Sequence, residues 1–163
     1  MKKRISVIVL ALLMVGMLTS VDALAHELEL TPPIDLEDWF SRFFHTTEDE
    51  LEPFVNVAFT YQNGNDNGAE QIQEGEGHRS YIYQNGDGNV ANHRQSGTGN
   101  WAGTYQDGDG NTAHVHQMGM ANWAGTYQLG NANTATIQQG GNNFSALITQ
   151  VGNGNSAVII QGK

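Results

Sequence analysis

The 163-residue chain contains no cysteine, which removes disulfide frameworks, thiolate metal sites and lipidation of an N-terminal cysteine. Charge is scarce and one-sided: only 15% of residues are charged, with 7 Lys+Arg against 17 Asp+Glu and a formal net charge of -10. So acidic a chain repels phosphates, and a nucleic acid partner is excluded. Long apolar runs are missing too, apart from Ile5 to Leu18. That run falls short of the roughly 20 residues needed to cross a bilayer. It follows Lys2, Lys3 and Arg4 and precedes Ala23-Leu24-Ala25, the order of a secretory signal peptide over residues 1–25. The secreted chain then begins at His26 with a formal charge of -12, from 4 Lys+Arg and 16 Asp+Glu. Finally, no paired carboxylates, nucleophile with a base or phosphate-cradling loop stands out, so the expectation is a non-enzyme without cofactor or metal.

What the sequence has in quantity is glycine, glutamine and asparagine, placed by a clock. Glutamine recurs at Gln62, Gln73, Gln84, Gln95, Gln106, Gln117, Gln128, Gln139, Gln150 and Gln161, always eleven apart. Two residues later stand Gly64, Gly75, Gly86, Gly97, Gly108, Gly119, Gly130, Gly141 and Gly152. Six residues before the glutamines stand Asn56, Asn67, Asn89, Asn100, Asn111, Asn122, Asn133 and Asn155, with His78 and Phe144 as exceptions. A small residue follows two positions on, Ser80 in one unit and alanine in the rest.

Each unit reads N-x-A-x-(V/I/T)-x-Q and then a glycine-rich link, a period-two alternation bounded by turn residues. Asn, Ala, the β-branched residue and Gln project to one side of a strand and the x positions to the other. The links, such as Asn85-Gly86-Asp87-Gly88, supply glycines for positive φ. Two strands per coil put every second unit above the one before. The fold class predicted is therefore an all-β, amyloid-like β-solenoid over residues 56–163, with five 22-residue strand–turn–strand coils and two parallel in-register sheets. Tyr61, Tyr83, Tyr105 and Tyr127 lie 22 apart, as do the identical heptapeptides Asn100 to Gln106 and Asn122 to Gln128, which supports the doubled period.

Inward amides are tolerable only if each is hydrogen-bonded, and the copy one coil away is the available partner. Stacked in register, the Asn and Gln residues form amide ladders like those of cross-β interfaces. An open solenoid keeps unpaired strand edges at both ends, so self-assembly is expected. The last coil presents Leu147, Thr149, Val158 and Ile160 outward, while the first carries Asp66, Glu70, Glu74 and Glu76 as gatekeepers.

Residues 26–55 form a separate acidic extension. Nine acidic residues and the single base Arg42 lie between His26 and Glu52, and Leu36, Trp39, Phe40, Phe43 and Phe44 recur at helical spacing. A short amphipathic helix or a partly disordered leader is expected there. Among the remaining candidates, His114 and His116 share an outward face but lack a third ligand, and Asp107 to Gly110 only faintly resembles a calcium turn. Trp101, Trp123 and the tyrosines read as cross-strand packing.

The units Gln84 to Gln95, Gln95 to Gln106 and Gln106 to Gln117, of the form Q-x-G-x-G-N-x-A-x-x-x-Q, resemble the curlin repeat of curli fibre subunits. The resemblance spans about Asn56 to Gln161. It implies export through an outer-membrane curli channel with its accessory proteins, a second curlin subunit as partner, and an extracellular amyloid fibre used in biofilm matrix and adhesion. The alternative within the family is the minor subunit that nucleates the fibre at the outer membrane. A more remote alternative is a monomeric solenoid binding ice or polysaccharide.

Overall fold

The computed structural model of the protein describes residues 54–162. The signal peptide expected over 1–25, residues 26–53 of the 26–55 extension with the short helix or partly disordered leader expected there, and Lys163 lie outside the described residues. Ten strands follow one another: β1 (Val57–Asn63), β2 (Gly68–Glu76), β3 (Arg79–Asn85), β4 (Val90–Thr98), β5 (Trp101–Asp107), β6 (Thr112–Met120), β7 (Trp123–Leu129), β8 (Thr134–Gly140), β9 (Ser145–Val151) and β10 (Ser156–Gly162). The odd strands make one sheet in the order β1-β3-β5-β7-β9 and the even strands a second, β2-β4-β6-β8-β10. Every pairing is parallel and every register offset is one coil of 22 residues, as in Gln62↔Gln84 and Gln95↔Gln117. The molecule is the expected β-solenoid, five coils tall, each coil one strand of either sheet.

Alternation decides which residues face inward. In β5 the row Asn100, Ala102, Thr104 and Gln106 is fully buried, while Trp101 and Tyr105 between them are partly exposed. Alanine at the second inward place leaves room for a facing sheet, and Ala91, Ala102, Ala113, Ala124 and Ala135 are wholly buried. The inward apolar residues are few and mostly small, those alanines with Ile82, Val115, Ile137, Ala146 and Ile148. A flat, narrow interior follows, in which the polar rows occupy as much space as the apolar ones.

The outward side chains of the odd sheet stack along the axis. Tyr61, Tyr83, Tyr105 and Tyr127 form one column with ring centroids 4.8–5.0 Å apart, and Trp101 stacks on Trp123 at 5.1 Å. Gly125 makes room for the indole, since a Cβ there would stand 2.8 Å from the Trp123 ring. Offset aromatic pairs at this spacing add to sheet stability beyond their buried area. Burial, with the Asp107 carboxylate close by, pushes the Tyr105 phenol well above its ordinary pKa.

Two kinds of positive-φ residue close each turn, for different reasons. Gly108 has φ +117°, and a Cβ on it would collide with the carbonyl oxygen of Gly130 one coil on. Gly110 has φ +66° and open space where its Cβ would be. At the places equivalent to Gly110, eleven or more residues away, Asp66, Ala121, Ala132 and Asn143 adopt φ between 53° and 59°. Glycine is thus demanded by contact between coils at the first place and only by backbone preference at the second. Chemical denaturation of the unassembled chain should show Gly108→Ala losing at least about 3 kcal/mol, and Gly110→Ala about 1 kcal/mol. Equal losses would disprove the close-contact explanation.

Candidate functional site

The ten glutamines stand in two columns, one along each sheet. In the odd sheet Gln62 Nε2 donates to Gln84 Oε1 at 2.7 Å, Gln84 to Gln106 at 2.9 Å, Gln106 to Gln128 at 2.8 Å and Gln128 to Gln150 at 2.9 Å. The even column runs Gln73, Gln95, Gln117, Gln139, Gln161 with the same direction and distances of 2.8–3.0 Å. From Gln73 onward each of these amides also donates across the core, as Gln106 does to the Val90 carbonyl and Gln117 to the Trp101 carbonyl. One side chain therefore ties together two coils of its own sheet and the opposite sheet as well. The six middle glutamines, Gln84 to Gln139, are fully buried, where an unmet amide would cost several kcal/mol.

The asparagines work differently from the side-chain ladder expected of them. Asn111 Nδ2 donates to the Gly130 carbonyl at 2.7 Å, and its Oδ1 accepts the backbone N–H of Asn133 at 3.0 Å. Asn56, Asn67, Asn89, Asn100, Asn122 and Asn133 likewise bond the carbonyl of the turn glycine 19 residues on. Each asparagine is thus a clamp on the turn of the following coil. Within this inward row, among the described residues, direct Asn-to-Asn bonds link Asn89, Asn111, Asn133 and Asn155. The reason is geometric: Asn is one methylene shorter than Gln and sits where the strand meets the turn, so backbone groups are nearer than the next amide.

At the two exceptional corners the clamp is replaced. The backbone N–H of His78 donates to Asn56 Oδ1, and its ring bonds the Glu74 carbonyl at 3.1 Å and the Asn100 N–H at 3.2 Å. Phe144 packs its ring against Gly141, where a Cβ would be 2.7 Å from Cε2. Imidazole keeps the polar bonds of asparagine, whereas phenyl substitutes contact for them.

Sequence reasoning missed three further sets of residues. In the turns, the Oδ1 atoms of Asp87, Asp109, Asn131 and Asn153 accept the backbone N–H groups of Asn65, Asp87, Asp109 and Asn131, one coil back. Beside them Asn63 donates to Asn85 and Asn85 to Asp107. The Asp107 and Asp109 carboxylates are thereby engaged in turn ladders. The third set is a buried chain: Ser80 Oγ lies 2.8 Å from His93 Nδ1, His93 Nε2 lies 2.7 Å from Thr104 Oγ1, and Thr104 lies 2.7 Å from Thr126 Oγ1. The enclosed row was expected to hold Ala, Asn, Gln, Val, Ile and Thr, yet it also holds His93. Aligning the units at the β-branched place would have exposed it.

His114 and His116 are on the outward face of β6, with Asn92 Nδ2 3.3 Å from His114 Nδ1. Among the described residues no group of three His, Cys, Asp or Glu side chains is placed to hold a metal. Every buried side-chain nitrogen and oxygen of the described residues has a hydrogen-bond partner.

This geometry defines a class: a parallel two-sheet β-solenoid whose coils are held by repeated amides and turn clamps more than by an oily core. A family model for the curlin associated repeat matches residues 94–119, 108–141 and 130–162. The matches run together over residues 94–162, so this part of the chain is built of curlin repeats, which support a curlin-family protein of the curli-subunit type. No curated protein matches it.

Removing one rung breaks bonds on both sides of it. Gln106→Ala strips a donor partner from Gln128, an acceptor from Gln84 and a bond from the Val90 carbonyl. It should destabilise the chain by about 3–5 kcal/mol, whereas the exposed Thr134→Ala should stay within about 0.5 kcal/mol. Denaturant midpoints of the two variants measure the contrast, and a Gln106 loss below about 1 kcal/mol would contradict the ladder's structural role.

Proposed function

We propose that the chain is the structural subunit of an extracellular, curli-type amyloid fibre serving biofilm matrix and cell adhesion, and that copies add end to end. The observation that carries this reading is the pair of open ends. Among the described residues, β1 and β2 at one end and β9 and β10 at the other are each paired along one side only. Leu147, Val151, Val158 and Ile160 on the last coil are exposed by 47–71%. An uncapped, uncharged β edge is a template for another strand.

The ends are complementary in detail. Gln150 and Gln161 accept from the coil before them through Oε1 and present Nε2 to the next. Gln62 and Gln73 donate to the coil after them. A second copy continuing the 22-residue register places its Gln62 over Gln150 and its Gln73 over Gln161, so donor meets acceptor. Its Ala58, Ala69 and Ile72 then fall over Ala146, Ala157 and Ile160. A second curlin subunit and an outer-membrane export channel with accessory proteins complete the reading as partners, on the strength of the family.

After a lag, the purified chain should form fibres with a meridional reflection near ~4.8 Å. Gln150→Ala combined with Gln161→Ala should slow elongation at least about tenfold, one lost ladder bond in each sheet. Thr112→Ala with Thr134→Ala should leave the rate nearly unchanged. A lasting soluble monomer, or equal rates for the two double variants, would overturn the proposal.

A further inference from the structure

The inward rows of coils 3 to 5, formed by β5 to β10, hold only Asn, Ala, Thr, Val, Ile, Gln and Phe144. Coil 2, formed by β3 and β4, encloses two imidazoles instead. His78 is 0% exposed and His93 2%. In its column His93 stands between Gln71 of β2 and Val115 of β6. Across the core its ring nitrogens meet the hydroxyls of Ser80 on β3 and Thr104 on β5. All four neighbours are neutral.

The charged side chains of the strands packed on His93 are turned elsewhere. Glu70, Glu74 and Glu76 of β2, Arg79 of β3, Arg94 of β4, and His114 and His116 of β6 occupy outward positions, and Asp107 of β5 sits at a corner bonded to Asn85. The tyrosine phenols of β3 and β5 are likewise outward. The Glu74 carboxylate pairs with Arg94 at 3.4 Å on the surface. Among the described residues no counter-ion therefore reaches either buried ring. His78 is also fixed as a neutral tautomer, because Nδ1 accepts the Asn100 N–H and Nε2 donates to the Glu74 carbonyl.

We propose that coil 2 is an acid-operated latch: protonation of His93 unwinds coils 1 and 2 while coils 3 to 5 stay wound. A cation at His93 is buried with no opposite charge, a state the fold avoids by opening. Burial lowers the His93 pKa from 6.5 to about 3. Folded coils bind this proton less well than open ones, so the latch is fully closed above pH 6.5. Its stability then drains as pH falls toward 3. Within that window the opening equilibrium rises about tenfold for each pH unit. The latch acts in a lone chain and at the first coils of a stack alike.

Hydrogen exchange on the intact chain, corrected for the intrinsic pH dependence of exchange, tests this directly. Between pH 6.5 and 4.5 the protection of β1 to β4 should fall about 100-fold, with β6 to β10 changing less than about threefold. His78→Asn combined with His93→Gln should flatten the response of β1 to β4. Loss of protection in all ten strands together, or an unchanged acid response in a folded double variant, would overturn the latch. If the double variant does not wind, the ring signals of the unaltered chain decide the matter. His93 should stay neutral until β1 to β4 open, and a ring that titrates near 6.5 with those strands still protected would sink the proposal.

Discussion

One constraint governs this molecule: a carboxamide enclosed between two sheets has no water to turn to, and the partner within reach is the same carboxamide one coil away. Gln106 illustrates it, with its oxygen taken by Gln84, one proton given to Gln128 and the other to the Val90 carbonyl. A slip of one residue would turn the whole inward row to solvent, and a slip of two would set Gln against the mostly β-branched places, such as Ile82 and Val115, or against the turn glycines, none of which offers a second amide. The ladder is therefore a register device as well as a source of stability. Alanine beside it is the natural companion, since a larger side chain would hold the sheets apart and the amides could no longer cross the core.

The same requirement reaches into the turns. Coils spaced closely enough for amide-to-amide bonds bring the first turn glycine under the carbonyl of the next, so that no Cβ fits at Gly86, Gly97 or Gly108. The backbone exposed by that glycine is then bonded by the asparagine clamp, as Asn89 bonds the Gly108 carbonyl. Glutamine, glycine and asparagine are in this sense one mechanism distributed over eleven residues. Their common spacing is a consequence of coil height, not of any local preference for a turn type.

Much of this was legible in the chain because period and alternation are linear properties. Gln62 to Gln161 at intervals of eleven fix the strands, and the tyrosines at intervals of 22 fix two strands per coil, which the pairing of Tyr61 with Tyr83 and Tyr83 with Tyr105 bears out. Direction and choice of partner are not linear properties. Nothing in the spacing of Asn111 says that its nearest acceptor is the Gly130 carbonyl, because that depends on where the strand bends into the turn. Asp87 and Asp109 looked like turn formers, and their bonds to backbone N–H groups one coil away emerge only when the turns are stacked. His93 was hidden for a plainer reason: it occupies a place whose other occupants are mostly β-branched, and a repeat pattern draws attention away from its exceptions.

Direction has a consequence for how such coils can extend. Every glutamine bond points the same way, from Nε2 of one coil to Oε1 of the next, in both sheets. The asparagine protons given to turn glycines point the same way again. The glutamine columns are consequently polar, with their donors directed out of the last coil and their acceptors out of the first. Joining two last coils would oppose donor to donor at Gln150 and Gln161 and would also reverse the strands from parallel to antiparallel. Joining last to first would set donor against acceptor in both glutamine columns and keep the strands parallel. For the end-to-end addition proposed above, the hydrogen bonds of the monomer thus favour a single orientation, and a junction between unlike curlin-repeat chains would have to present amides in the same two columns.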